Sequence, residues 1–133
     1  MNLVLFGPPG AGKGTQSDKI AKDFSLTKIS TGDLLRNEID KVSSLGDKIK
    51  SIIDEGKLVS DDIINNLIEN ILSNTNSYNG LIFDGYPRNL NQAKSLDILL
   101  KKYNQKISCV LSLKVEKKNI IERITSRLIC SKC

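Results

Sequence analysis

The chain has 133 residues, 39% of them hydrophobic and 26% charged, which fits one globular domain with a core of its own. Its apolar runs are far too short to span a bilayer, and the N-terminus reads as a first strand rather than a charged leader, so a cytoplasmic protein with no membrane partner is expected. The net charge of +5 suits anionic ligands, while scattered lysines and 5% aromatics argue against a nucleic-acid surface, and the lack of histidine excludes chemistry that needs an imidazole base.

Leu3-Val4-Leu5-Phe6 reads as a short buried strand. It delivers the chain to Gly7-Pro8-Pro9-Gly10-Ala11-Gly12-Lys13-Gly14-Thr15, a complete G-x-x-x-x-G-K spacing with the hydroxyl one place later than usual. Glycine has no Cβ, so backbone N–H groups can crowd around a phosphate there. The helix that starts near Gly12 adds the positive end of its dipole, and Lys13 can reach the β- and γ-phosphates. This helix is predicted to run to Phe24, with Ile20, Ala21 and Phe24 on one face. Thr27 to Ser30 is a strand, and Thr31-Gly32-Asp33 starts a helix carrying Leu34, Leu35 and Ile39. A further helix covers Gly46 to Glu55 with Ile49, Ile52 and Ile53 inward, closed by Gly56.

Ser60 is placed to cap a helix whose stripe is Ile63, Ile64, Leu67, Ile68, Ile71 and Leu72. A polar loop from Asn74 to Asn79 precedes the strand Leu81-Ile82-Phe83, which ends at Asp84-Gly85. Residues 89–103 form an amphipathic helix with Leu96, Leu99 and Leu100. Cys109 to Leu113 is a strand with Cys109 in the core, and Glu116 to Leu128 is a helix with Ile120, Ile121 and Ile124. Alternating strands and helices imply an α/β fold: a parallel sheet flanked by helices, with ligands at the carboxyl ends of the strands. The phosphate loop, Ser30-Thr31 and Asp84-Gly85 all lie at such ends. Residues 30–59 make a helical excursion longer than a simple crossover, as a mobile substrate flap would.

Lysine occurs sixteen times and arginine four times: Arg36, Arg88, Arg123 and Arg127. Sparse arginine suggests positions where the guanidinium fork grips phosphate, although an exposed basic helix edge also accounts for Arg123 and Arg127. Asp84, ending a strand beside the loop, suits Mg²⁺ held through its water shell. Asp33 fits either a helix cap or a second contact to that ion. Cys130-x-x-Cys133 has zinc-ligand spacing, with a redox pair and unrelated thiols as alternatives.

Three segments together resemble bacterial adenylate kinase: residues 7–16, Ser30-Thr31-Gly32-Asp33-Leu34-Leu35-Arg36, and Phe83-Asp84-Gly85-Tyr86-Pro87-Arg88. The resemblance implies the P-loop nucleoside monophosphate kinase fold and transfer of a phosphoryl group from Mg·ATP to AMP, giving two ADP. It implies that Gly10, Ala11, Gly12, Lys13, Gly14, Thr15 and Arg127 bind ATP. It places AMP against Thr31, Arg36, Lys57, Leu58, Val59, Gly85, Tyr86, Pro87, Arg88 and Gln92. Lys13, Asp84, Arg88 and Arg123 are the implied catalytic set, and residues 30–59 the AMP-binding insertion. Without the resemblance, Gln92 reads as an ordinary helix residue. Related pyrimidine-nucleotide kinases look similar but tend to carry alanine where Thr31 stands. A non-catalytic adenine-nucleotide module is the other alternative.

Residues 126–133 resemble the start of the family's lid, and in zinc-containing members Cys130 and Cys133 would be half of a four-ligand knuckle. The rest of the lid, a last strand and a closing helix are not in this chain. The isolated chain is therefore expected to be marginally stable, to expose an apolar edge near 108–114 and to bind nucleotides better than it turns them over. The full-length protein is expected to be a monomer.

Overall fold

The structure, a computed structural model, describes residues 1–74, 79–126 and 128. Among these residues four strands, β1 (Asn2–Phe6), β2 (Thr27–Ser30), β3 (Leu81–Asp84) and β4 (Cys109–Ser112), form one parallel sheet in the order β2-β3-β1-β4. Six helices connect and flank them: α1 (Lys13–Asp23), α2 (Thr31–Asp40), α3 (Ser44–Asp54), α4 (Asp61–Asn74), α5 (Leu90–Lys102) and α6 (Lys117–Thr125). No helix among the described residues is long and apolar enough to cross a membrane.

Strand side chains alternate, so β1 and β3 each feed two cores. Val4, Ile29, Leu81 and Phe83 face α4 and α5, where Ile68, Leu72, Leu96 and Leu100 meet them. Leu3 and Ile82 face the other way, onto Leu26 and onto Ile20 and Ala21 of α1. Ile49, Val59 and Leu67 form a third cluster with Leu34 and Leu35, tying the α2–α3 excursion to α4. At the amino ends of the strands, buried Asn2 replaces apolar packing with hydrogen bonds. Its Oδ1 accepts from the Leu81 N–H at 3.0 Å, and its Nδ2 donates to Gln105 Oε1 and Lys106 O, each at 3.0 Å.

Local chemistry sets the helix ends. Ser30, Ser43 and Asn89 are N-caps whose side-chain oxygens accept from the N–H of Asp33, Gly46 and Gln92. Gly56, just past α3, is left-handed with φ 70. The α2–α3 break falls at Val42, which has φ 51 and is exposed.

Several side chains differ from the pattern predicted above. Phe24 is 58% exposed because α1 ends at Asp23 and the chain turns, so Leu26 fills the core instead. Ile53 is exposed because Ile49 and Ile52 already cover the contact with the third cluster. Cys109 is exposed, not core, because β4 is an edge strand and all four of its residues are exposed. Val110 and Leu111 lie on that same strand, the apolar edge expected from the sequence. In α6, Ile121 and Ile124 are exposed as well.

The tightest backbone approach joins α2 to α3 at Gly46. A Cβ there would lie 2.5 Å from the Glu38 carbonyl oxygen and 3.2 Å from Ile39 Cα. Neither is a flexible atom, so the helices would have to separate. Gly46→Ala is expected to cost about 1–3 kcal/mol in urea unfolding despite alanine's better helix propensity. Ile53→Ala, at an exposed site, should stay within about 0.5 kcal/mol.

Candidate nucleotide-binding site

The phosphate loop leaves β1 and turns at Gly10 (φ 77) and Gly12 (φ 89), the latter directly before α1. Only glycine takes such angles without strain, and a Cβ on Gly12 would meet nothing within 4 Å, so backbone geometry rather than crowding selects glycine there. Lys13 folds back over the loop, its Nζ donating to the carbonyls of Gly7 at 2.8 Å and Pro8 at 3.1 Å. The loop opens on a cavity of about 550 Å³ lined by Gly10, Gly12, Lys13, Gly14 and Thr15. Arg36, Arg123, Lys28, Asp33 and Asp84 complete its walls. Ala11 is buried beneath the loop. Arg123 reaches from α6 to the Gly10 carbonyl at 3.4 Å.

Asp84 closes this cavity from the end of β3. Its Oδ2 lies 3.3 Å from the hydroxyl of buried Ser17, which also donates to the Gly14 carbonyl at 2.8 Å. Lys28 Nζ is 3.9 Å from the same carboxylate oxygen. Among the described residues no group of three or more His, Cys, Asp or Glu could hold a metal. One carboxylate beside a phosphate loop fits Mg²⁺, which keeps most of its waters and takes its other ligands from phosphates. Asp33 is not the cap of α2; Ser30 is, and the Asp33 carboxylate pairs with Arg36. Burial raises the Asp33 pKa, but hydrogen bonds from Arg36 and Ser30 together with the charges of Arg36 and Lys28 outweigh that and hold it below the ordinary value.

A second cavity, about 320 Å³, lies between the α2–α3 excursion and the start of α5. Thr31, Lys57, Leu58, Val59, Arg88 and Gln92 line it, together with Leu35, Ile64 and Asp61. Thr31 is buried; its Oγ1 donates to the Gly85 carbonyl at 3.3 Å and accepts from Arg88 at 3.2 Å. Arg88 Nε donates to that same carbonyl at 2.7 Å. Gln92 is buried, with its Oε1 accepting from the Arg88 N–H at 2.7 Å and its Nε2 donating to Asp61 at 2.5 Å. Tyr86 is a structural post, its hydroxyl donating to Asn65 Oδ1 at 2.6 Å. Burial and the Asp61 charge push the Tyr86 phenol up to about 12, so it stays neutral. A third cavity of about 440 Å³, lined by Gly7, Lys13, Gly85, Pro87 and Arg88, shares Lys13 with the first and Arg88 with the second.

The structure thus brings Lys13, Asp84, Arg36 and Arg123 around one cavity, and Thr31, Val59, Arg88 and Gln92 around another. Arg36 and Arg88 do not share a cavity: Arg36 turns to Asp33 and the phosphate loop, Arg88 to Thr31 and Gly85. Arg127, Cys130 and Cys133 lie outside the described residues. Three site residues carry no motif signal. Lys28 sits two places before the Ser30-Thr31 motif, and Ser17 and Asp61 read as ordinary helix positions. Period-two alternation along β2 would have put Lys28 on the same face as Ser30.

A family model described as adenylate kinase matches residues 5–128. The adenylate kinase of Pelagibacter ubique (strain HTCC1062) is 47% identical over 133 residues, covering 100% of this chain and 62% of the relative. That of Erythrobacter litoralis (strain HTCC2594) is 44% identical, with 100% and 62% covered. That of Caulobacter sp. (strain K31) is 48% identical over 127 residues, with 96% and 67% covered. This chain therefore spans about three fifths of the first two relatives' length. With the three motifs at the ends of parallel strands and the family match running through all of them, the chain belongs to the adenylate kinase family.

Proposed function

We propose that this chain carries the nucleotide sites of an enzyme that moves a phosphoryl group reversibly between ATP and AMP, giving two ADP. The observation that supports this most is that three cavities are linked by shared lining residues. Lys13 belongs to the first and the third, and Arg88 to the third and the second. In this reading ATP phosphates lie along the loop and AMP lies against Thr31, Val59 and Gln92, with the two phosphate groups facing each other between Lys13 and Arg88.

The chemistry asks little of a base. The bond between the γ-phosphorus and the oxygen bridging it to the β-phosphate breaks, and a new bond forms to an AMP phosphate oxygen. That oxygen is already anionic at neutral pH, so no side chain has to remove a proton. Catalysis is positioning and charge neutralisation. Lys13 exchanges the Gly7 and Pro8 carbonyls for phosphate oxygens. Arg88 uses Nε and one terminal nitrogen on Gly85 and Thr31, which leaves guanidinium donors for the incoming phosphate. Arg36 and Arg123, both lining the first cavity, neutralise charge there. Mg²⁺, when bound with ATP near Asp84, spreads the charge of the transferring group. The Gln92 amide offers an acceptor and a donor that suit the adenine edge, and Asp61 and the Arg88 N–H fix which end points where.

Offered AMP, CMP, UMP and GMP in a coupled assay, the protein is expected to use AMP best, by about tenfold or more. Equal or better use of a pyrimidine acceptor would reassign it to a sibling kinase. Lys13→Met is expected to lower phosphoryl transfer about 100-fold or more. Unchanged ATP affinity and unchanged transfer in that variant would remove the basis of the proposal. Thr31→Val keeps the shape but loses both hydroxyl contacts. It should raise the KM for AMP about five- to tenfold while changing that for ATP much less. An equal rise for both nucleotides would count against assigning Thr31 to the acceptor.

A further inference from the structure

Lys28 lies outside the three motifs, yet it lines the phosphate-loop cavity. On β2 it is the register partner of Ile82, and two residues on Ser30 partners Asp84. Alternation therefore sends Lys28, Ser30, Ile82 and Asp84 to one face of the sheet, the face that α1 covers. There Lys28 Nζ stands between two carboxylates, 2.6 Å from Asp18 Oδ1 and 3.9 Å from Asp84 Oδ2. The two partners are unequal. Asp18 is 67% exposed at its side chain, so water and salt screen that pair strongly. Asp84 is 12% exposed, so the weaker contact by distance acts through a less screened medium.

We propose that Lys28 is a positioning residue for the divalent cation at Asp84. It is a permanent positive charge that competes with the cation for the carboxylate and substitutes for part of its charge toward the phosphates. The inference rests on the nucleotide-site reading above. With Lys28 present, metal-free ATP meets an extra cation in the cavity, and Mg·ATP meets an Asp84 whose charge is partly neutralised. The site then depends less on the metal than one with a neutral residue at this place. Asp18 sets the balance by holding the ammonium back from Asp84.

Calorimetric titration of the protein with ATP, once with excess Mg²⁺ and once with a chelator, tests this without relying on turnover. Lys28→Met is expected to weaken metal-free ATP about five- to tenfold while Mg·ATP binding is unchanged or tighter. Lys28→Gln, which keeps a polar chain of similar reach, should move the same ratio in the same direction, and thermal melts should show both variants folded. Asp18→Asn frees the ammonium and should shift the ratio the other way. An unchanged ratio in both Lys28 variants would overturn the proposal, as would a shift of Asp18→Asn in the Lys28→Met direction. If the wild-type protein binds ATP in a Lys13-dependent manner while both Lys28 variants leave the ratio unchanged, the role of Lys28 alone is overturned. Wild-type protein that binds ATP under neither condition would overturn the nucleotide site with it.

Discussion

Three strands end on one line. In the parallel ladder Leu5 of β1 is the register partner of Asp84, and Asp84 is the register partner of Ser30. A slip of one residue in either pairing would turn every side chain to the wrong face and bury Asp84 among apolar groups. The apolar alternation on both faces forbids that slip, because Val4, Phe83 and Ile29 must meet α4 and α5. Register set by hydrophobic burial therefore brings the phosphate loop, the acid and the start of α2 side by side. No direct attraction among the polar groups is needed to assemble them.

Polar contacts then decide how the assembled site waits for its ligand. Its cations are held by internal partners: Lys13 by two carbonyls, Arg36 by Asp33, Lys28 by Asp18, and Arg88 by Thr31 and Gly85. Each such contact lowers the cost of gathering like charges in one cavity. Each is also partly exposed to water, so a phosphate can replace the partner at modest cost. Gln92 differs, because it is buried and both ends of its amide are bonded. It is a fixed part of the second cavity, while the cations are movable parts of the first.

Most of the architecture was legible in the sequence because its signals are local. The phosphate loop, the strand at 27–30 and the stripe on α4 each depend on residues a few places apart. What escaped depends on partners far along the chain. Gln92 meets Asp61, 31 residues away, and Lys28 meets Asp84 only because β2 pairs with β3. Phe24 fits the helical period yet points to water, and Ile53 lines the second cavity rather than the core, since periodicity gives a face but not what covers it. Val42 breaks the excursion in two at a positive φ that a β-branched residue rarely adopts, so no propensity rule marks that turn. The neighbouring close approach of Gly46 to Glu38 explains why the chain accepts the strain: it lets α2 and α3 pack backbone to backbone.

The back wall of the phosphate loop belongs to the least buried helix. A Cβ on Gly10 would sit 3.1 Å from Ile124 Cγ1 and 3.4 Å from the Ile120 carbonyl, so α6 shapes the turn from behind. Gly7 is backed in the same way by Leu113, just before that helix. Yet α6 has no buried residue, and β4, which leads to it, is exposed along its whole length. The loop is thus anchored by β1 and α1 at its two ends and backed on the other side by an element that buries little. Binding energy can flow through that contact in one direction or the other. Phosphates that draw Arg123 inward would hold α6 against Gly10, and anything that packs on α6 and β4 would hold the loop ready for phosphates. The two effects are a single coupling seen from its two ends: the factor by which docked α6 strengthens phosphate binding equals the factor by which bound phosphate strengthens the docking of α6.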